Sequence, residues 1–184
     1  MLITKTSPVG IDYHIQQLQT ALHSKLSAAD YWNMVSAEYK CYGRCYRNKN
    51  DNGYIAENYE GTNEYREVYW DDTLKAISFF GISRSIEMPL KAEADVHLVF
   101  FVNLAKIKAA ITHRADEEAR NDVLKIIGNS LFGFTIQSVD LWLENVLREY
   151  PGSRRDNRLA AVDMHPVHCF RINLKLSYNT NKIC

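Results

Sequence analysis

The run Val96-His97-Leu98-Val99-Phe100-Phe101-Val102 constrains the fold more than any other stretch of the chain. It is β-branched and aromatic, almost continuously apolar, and far too short for a transmembrane helix, which needs about 20 apolar residues. A strand with one wet face would alternate, so a run like this one belongs where both faces are covered. Ala94 to Lys106 is therefore predicted to be the middle of a sheet, with the amphipathic segments elsewhere as its cover. The chain has 184 residues and nothing resembling a linker rich in Pro, Gly or Ser, which predicts a single domain over residues 1–184.

The periodicity around this strand predicts an α+β fold. Ile11, Ile15, Leu18 and Leu22 recur at intervals of four and three, forming one apolar stripe on a helix from about Val9 to about Lys25. Tyr31 to Tyr46 carries few helix signals and leads to Asn52-Gly53, the strongest short hairpin signal. A strand up to about Arg47, a turn over Asn50 to Gly53 and a return strand from Tyr54 to about Tyr59 are predicted, with a helix over Tyr31 to Lys40 as the alternative for the first part. Glu60 to Trp70 reads as a loop and an exposed segment, so residues 48–70 are expected to form an extended hairpin arm.

Leu74 to Ile82 supplies a strand beside the central one, and Pro89, which has no N–H to donate, marks a break. Asp116, Glu117 and Glu118 fall in the first turn of a helix beginning near Thr112 and ending at Gly128-Asn129. Phe134 to Leu143 reads as a strand followed by a short helix to Tyr150, or else Ser138 to Glu149 is one helix. Arg154 to Ala161 is expected to be a polar loop. Phe170, Ile172, Leu174 and Leu176 alternate with Arg171, Asn173, Lys175 and Ser177, the pattern of a half-buried strand, and residues 179–184 are predicted to be a flexible tail. The expected architecture is a mixed or antiparallel sheet with a long Tyr-rich hairpin, an N-terminal helix and one or two helices packed on one face.

Short catalytic motifs are not found. Gly81, Gly128 and Gly133 do not fall into a phosphate-loop pattern, and there is no nucleophile elbow. Asp71-Asp72 and Glu117-Glu118 are adjacent pairs whose side chains point apart on a regular element. Asp95 and His97 share a strand face; a metal-dependent nuclease would need them to converge with Glu93 and a Lys or His, and a structural hydrogen bond is the plainer reading. Cys41, Cys45, Cys169 and Cys184 contain no second close pair that would complete a zinc site, so four free thiols are expected, with a mixed site including His165 and His168 as the formal alternative. No catalytic residue, metal site or cofactor is predicted. The N-terminus lacks an apolar signal region, so neither secretion nor a membrane partner is expected. Lys plus Arg balances Asp plus Glu at 22 each, which does not suit a protein that grips duplex DNA through many phosphates.

The excess lies in aromatic residues and in the distribution of charge. Many of the eleven tyrosines fall within Tyr31 to Tyr69, and Tyr suits protein interfaces because it joins apolar area to a polar end. Core packing under the hairpin explains part of them. Glu57, Glu60, Glu64, Glu67, Asp71 and Asp72 form an acidic tract, and Arg154, Arg155 and Arg158 a late basic cluster. Separate acidic and basic surfaces let copies of one chain attract each other head to tail. The residues expected at such a subunit interface are Tyr54, Tyr59, Glu60, Glu64, Tyr65, Glu67, Tyr69, Arg154, Arg155 and Arg158.

Several phrases resemble virion structural proteins of tailed phages, above all the crAss-like phages. They are Asn63-Glu64-Tyr65 followed by Asp71-Asp72 and Ser78-Phe79-Phe80; Ala94 to Val102; Arg114-Ala115-Asp116-Glu117-Glu118; Glu144 to Tyr150; and Asp163-Met164-His165-Pro166 with His168-Cys169-Phe170-Arg171. The order of elements is also similar to tail-terminator and neck proteins. The resemblance implies a non-catalytic ring in the virion neck or tail, joining portal and head to tail. Its partners would be copies of itself and neighbouring neck, portal or tail proteins, with DNA only a passing cargo. A small metal-dependent phage enzyme and a host-directed protein-binding module are the alternatives.

Overall fold

In a computed structural model that describes residues 1–61, 64–130, 132–154 and 164–180, the run from Val96 lies in an interior strand, β7 (Ala92–Asn103). It pairs antiparallel with β6 (Ala76–Glu87) on one side and β9 (Val167–Tyr178) on the other. Beyond β9 lies β8 (Phe134–Asp140), antiparallel. Beyond β6 lie β2 (Tyr39–Arg44) and then β1 (Leu2–Ile3), each parallel to its neighbour. The result is a mixed six-stranded sheet in the order β1-β2-β6-β7-β9-β8. The fold is α+β, as the periodicity predicts.

The apolar run is continuous because it has a dry cover on each side. Val96, Leu98, Phe100 and Val102 face α1 (Ile11–Ser27) and α3 (Asp116–Gly128), where they share a core with Leu18, Leu22, Val123 and Ile127. Val99 and Phe101 belong to a second core with Ile77, Phe79, Trp70, Leu147 and Tyr150. Full burial of side chains of this size stabilises by about 1.5–3 kcal/mol each. Toward Ala92 the second cover ends, leaving Arg84, Asp95 and Lys175 exposed on that face, and the sequence turns polar at the same place.

The second cover is a three-stranded antiparallel sheet of β3 (Tyr46–Asn50), β4 (Gly53–Gly61) and β5 (Glu64–Glu67), joined by α4 (Leu143–Val146) and a 3-10 turn over Pro151–Arg154. The Asn-Gly signal marks its first turn, with Gly53 at φ 121° and the Asn52 amide donating to Asn50 Oδ1 at 2.9 Å. The segment read as an arm over 48–70 is not free of the body. Ala56 and Val68 are buried in the second core, and Gly53 lies so close to Gly152 that a Cβ on Gly152 would come within 2.8 Å of the Gly53 carbonyl carbon. The exposed segment expected after the loop forms a third strand, β5.

Other differences have local causes. The strand expected to run to Arg47 is divided at Cys45, with β2 in the large sheet and β3 in the small one, because Tyr39 and Cys41 bury in the first core whereas Cys45 buries in the second. Neither a strand nor a full helix covers the stretch from Tyr31 to Glu38. Trp32 is buried there against Phe100, at 5.9 Å between ring centroids, and its indole N–H donates to Asp122 at 3.0 Å, which pins a turn followed by a 3-10 helix over Ser36–Glu38. Pro89 sits in a tight turn, closed by the Met88 amide on Lys91 O at 2.9 Å, so β6 runs on past Ile82 to Glu87 and β7 begins at Ala92, before the predicted Ala94. β7 stops at Asn103, whose side chain accepts from the Lys106 amide at 3.1 Å and starts the one-turn α2 (Leu104–Ile107). Of the two readings of Phe134 to Glu149, the structure takes the strand followed by a short helix. Most of the polar loop over Arg154 to Ala161 and residues 181–184 of the tail lie outside the described residues. No helix among the described residues is long and apolar enough to cross a membrane.

Candidate functional site

The small sheet gathers most of the residues expected at an interface. Tyr54, Tyr59, Tyr65 and Tyr69 are between 39 and 48% exposed, and Glu60 and Glu64 are exposed beside them. Cross-strand pairing brings Tyr59 opposite Tyr65, with ring centroids 5.0 Å apart, and Tyr46 meets Tyr65 edge-on at 6.0 Å. Such pairs are favoured on a sheet face and hold the rings in one orientation. Glu67 lies opposite Glu57 on the next strand, and Glu57 accepts from the Asn48 amide group at 2.6 Å. Tyr54 carries the Arg47 guanidinium over its ring at 3.7 Å.

The acidic tract divides in the structure. Glu57, Glu60, Glu64 and Glu67 are on the small sheet, with Glu60 paired to Arg66 at 3.0 Å. Asp71 and Asp72 instead shape the turn that leaves it. Asp71 accepts from the Thr73 amide and hydroxyl at 3.0 and 2.6 Å, which together hold its carboxyl below the usual range, and Asp72 accepts from the Trp70 indole at 2.6 Å. Of the basic cluster, Arg154 ends the 3-10 turn, and Arg155 and Arg158 lie outside the described residues.

Where the second cover ends, a polar network crosses the large sheet. Arg171 of β9 is 1% exposed, and its guanidinium grips Glu149, through Nη1 to Oε2 and through Nη2 to Oε1 at 3.0 Å. Its Nε donates to Asn173 Oδ1 at 2.7 Å, and Asn173 donates in turn to Ser138 and Asp140 at 2.9 and 2.8 Å. Ser83 donates to Glu149 at 3.1 Å and meets His97 Nδ1 at 3.1 Å, while His97 Nε2 meets the Tyr150 hydroxyl at 2.9 Å. Burial first, then the positive Arg171, pushes His97 down to about 3, so its imidazole is neutral near pH 7. Burial opposes ionisation of Glu149, but the Arg171 hydrogen bonds and charge prevail and hold it at about 2. The network fastens the segment before Pro151, and with it the seat of the small sheet, to β7 and β9.

Little in the residue pattern points to this network, since Arg171 and Asn173 read as the wet face of the last strand. A usable sign is that His97 and Arg171 fall on the same side of their strands as Val99 and Phe101, a side that turns out to be covered. Asp95 does not join His97. His97 is buried with Ser83 and Tyr150 as its partners, whereas Asp95 lies exposed in the charged region with Arg84 and Lys175. His165 is exposed while His168 is buried, and among the described residues no three His, Cys, Asp or Glu side chains stand together to hold a metal ion. Cys41, Cys45 and Cys169 are buried; Cys184 lies outside the described residues.

No protein-family model matches the chain, and no curated protein matches it either.

Proposed function

We propose that the chain is a structural subunit that assembles with copies of itself into a ring of a tailed-phage neck or tail, of the tail-terminator kind, around the passage for DNA. The observation that carries this reading is the exposed aromatic surface of the small sheet. Tyr46, Tyr59 and Tyr65 are held against one another on a scaffold clamped to the large sheet, beside exposed Glu60 and Glu64. Aromatic residues in fixed orientations bury large areas at little cost in side-chain entropy, which is what a repeated protein contact requires. Contact between unlike surfaces of one chain generates a ring when the rotation closes. Balanced charge suits a conduit, where tight phosphate binding would retard the DNA.

Size-exclusion chromatography with light scattering, followed by negative-stain imaging, tests the reading. Discrete closed multimers are expected, and Tyr59→Ser with Tyr65→Ser should shift them toward monomer. A chain that stays monomeric at every concentration and is missing from virions would overturn it. A host protein captured by wild type and lost in the tyrosine variants, with no self-association, would favour the binding-module alternative.

A further inference from the structure

A helix covering one face of a sheet needs one apolar stripe, and α1 has it in Ile15, Leu18, Leu22 and Leu26, all buried. Tyr13, Gln16, Gln17 and Thr20, at the same helical spacing, form a second stripe that together with Ser7, Pro8 and Phe132 lines a groove of about 580 Å³. Ser7 at φ 53° and Gly10 at φ 56° bend the backbone on either side of Pro8 and Val9, which sets the wall of the groove. The polar groups of the helical wall are already engaged locally. Gln17 donates to the Tyr13 hydroxyl at 3.2 Å, Thr20 to Gln16 O at 2.8 Å, and Gln16 accepts from the Lys5 amide at 2.9 Å. What these bonds leave toward the groove is largely ring and aliphatic surface.

At the far end of β8 the chain carries the converse shape. Trp142 is 72% exposed and Leu141 before it 38%, on the turn between β8 and α4. An indole left in water forgoes much of the stabilisation its large apolar area could give. Phe132 precedes β8 and Trp142 follows it, so socket and knob are separated by about the length of that edge strand, roughly 25 Å. An apolar knob and an apolar socket at different places on one molecule are complementary only between copies, and the contact they make is head to tail.

We infer that Trp142 of one copy seats in the groove between α1 and Phe132 of the next, forming a heterologous contact along the β8 edge of the sheet. This inference rests on the ring reading and adds to it a named pair of surfaces. The occupant is a second copy of this chain; a groove of this volume also suits a small apolar molecule, which the experiment below separates.

The test uses the full chain. Trp142→Ala and, independently, Thr20→Trp, which fills the groove, should each weaken self-association by about thirtyfold, as loss of a central aromatic anchor does, while circular dichroism and melting stay close to wild type. In a Cys184→Ser background, Thr20→Cys with Leu141→Cys on the same chain should give a ladder of disulfide-linked multimers under mild oxidation, and neither cysteine alone should. If Thr20→Trp does not fold, Trp142→Ala and the cross-link decide the matter. Wild-type multimers that persist in Trp142→Ala and give no ladder overturn this contact and leave the ring reading intact. A wild-type monomer at all concentrations overturns both. Binding of an apolar dye that Thr20→Trp abolishes, with multimers unchanged, identifies a ligand groove instead and also overturns the contact.

Discussion

Arg171 and Glu149 form a two-pronged ion pair that ties an inner strand of the large sheet to the segment on which the small sheet rests. The arginine is 1% exposed, so its charge has no recourse to water. Removing the carboxylate leaves that buried charge with only the more distant Asp140, 3.9 Å from its Nε, to oppose it. Glu149→Ala is expected to cost about 3 kcal/mol in urea unfolding, whereas Arg171→Met combined with Glu149→Met should stay within about 1–2 kcal/mol of wild type. A double variant as unstable as the single one would show that the pair contributes through packing of the segment rather than through charge.

Acid should loosen the fold in two stages. His97 titrates at about 3 when folded and near its ordinary value when unfolded, so between roughly pH 6.5 and 3 the unfolded chain binds the proton that the native one refuses. Stability from this group is complete above that window and falls with pH through it. Glu149, held at about 2, adds a further loss from about pH 4.5 downward. Melting temperature followed from pH 8 to 3 should decline below pH 6.5, and His97→Gln should flatten the upper part of the decline.

Gly81 is needed for the absence of a side chain. A Cβ there would lie 2.2 Å from both His97 Nε2 and the Tyr150 hydroxyl. Gly81→Ala should therefore destabilise by about 2–3 kcal/mol, as overpacking of a tight site does. Tyr150→Phe removes one of the two clashing atoms, and in a double-mutant cycle it should recover part of the loss. Strictly additive effects would place the clash elsewhere.

The three described cysteines should resist labelling in the native state. Cys41, Cys45 and Cys169 are buried, and burial raises the Cys41 thiol to about 11, with little thiolate at neutral pH. Peptide mapping after brief treatment with iodoacetamide should find these three unmodified in native protein and modified in urea. Rapid native labelling of Cys45 would mean that the small sheet lifts away from the large one.

Patterns set by local periodicity were legible in advance. Ile15, Leu18 and Leu22 announced α1, the seven residues from Val96 announced the interior strand, and Asn52-Gly53 marked the turn of the small sheet. Contacts between distant segments were not. The division at Cys45 depends on which of two cores a side chain enters, and Trp32 takes its turn from Phe100 and Asp122, far along the chain. The burial of Arg171 follows from a cover contributed by residues 143–150, whose place depended on whether the preceding stretch from Phe134 was strand or helix. For the interface residues, exposure of the tyrosines agrees with their proposed role, and their partners are a matter for the assembly experiments.

Cys45 is the single residue between β2 and β3, and its amide is fastened to Phe80 O at 2.7 Å. The joint therefore has no slack. A pull on β3 reaches the end of β2, where it pairs parallel with β6, through that one residue. The small sheet is thus coupled to the large one covalently through a single residue, so a displacement of β3 is felt at once by β2.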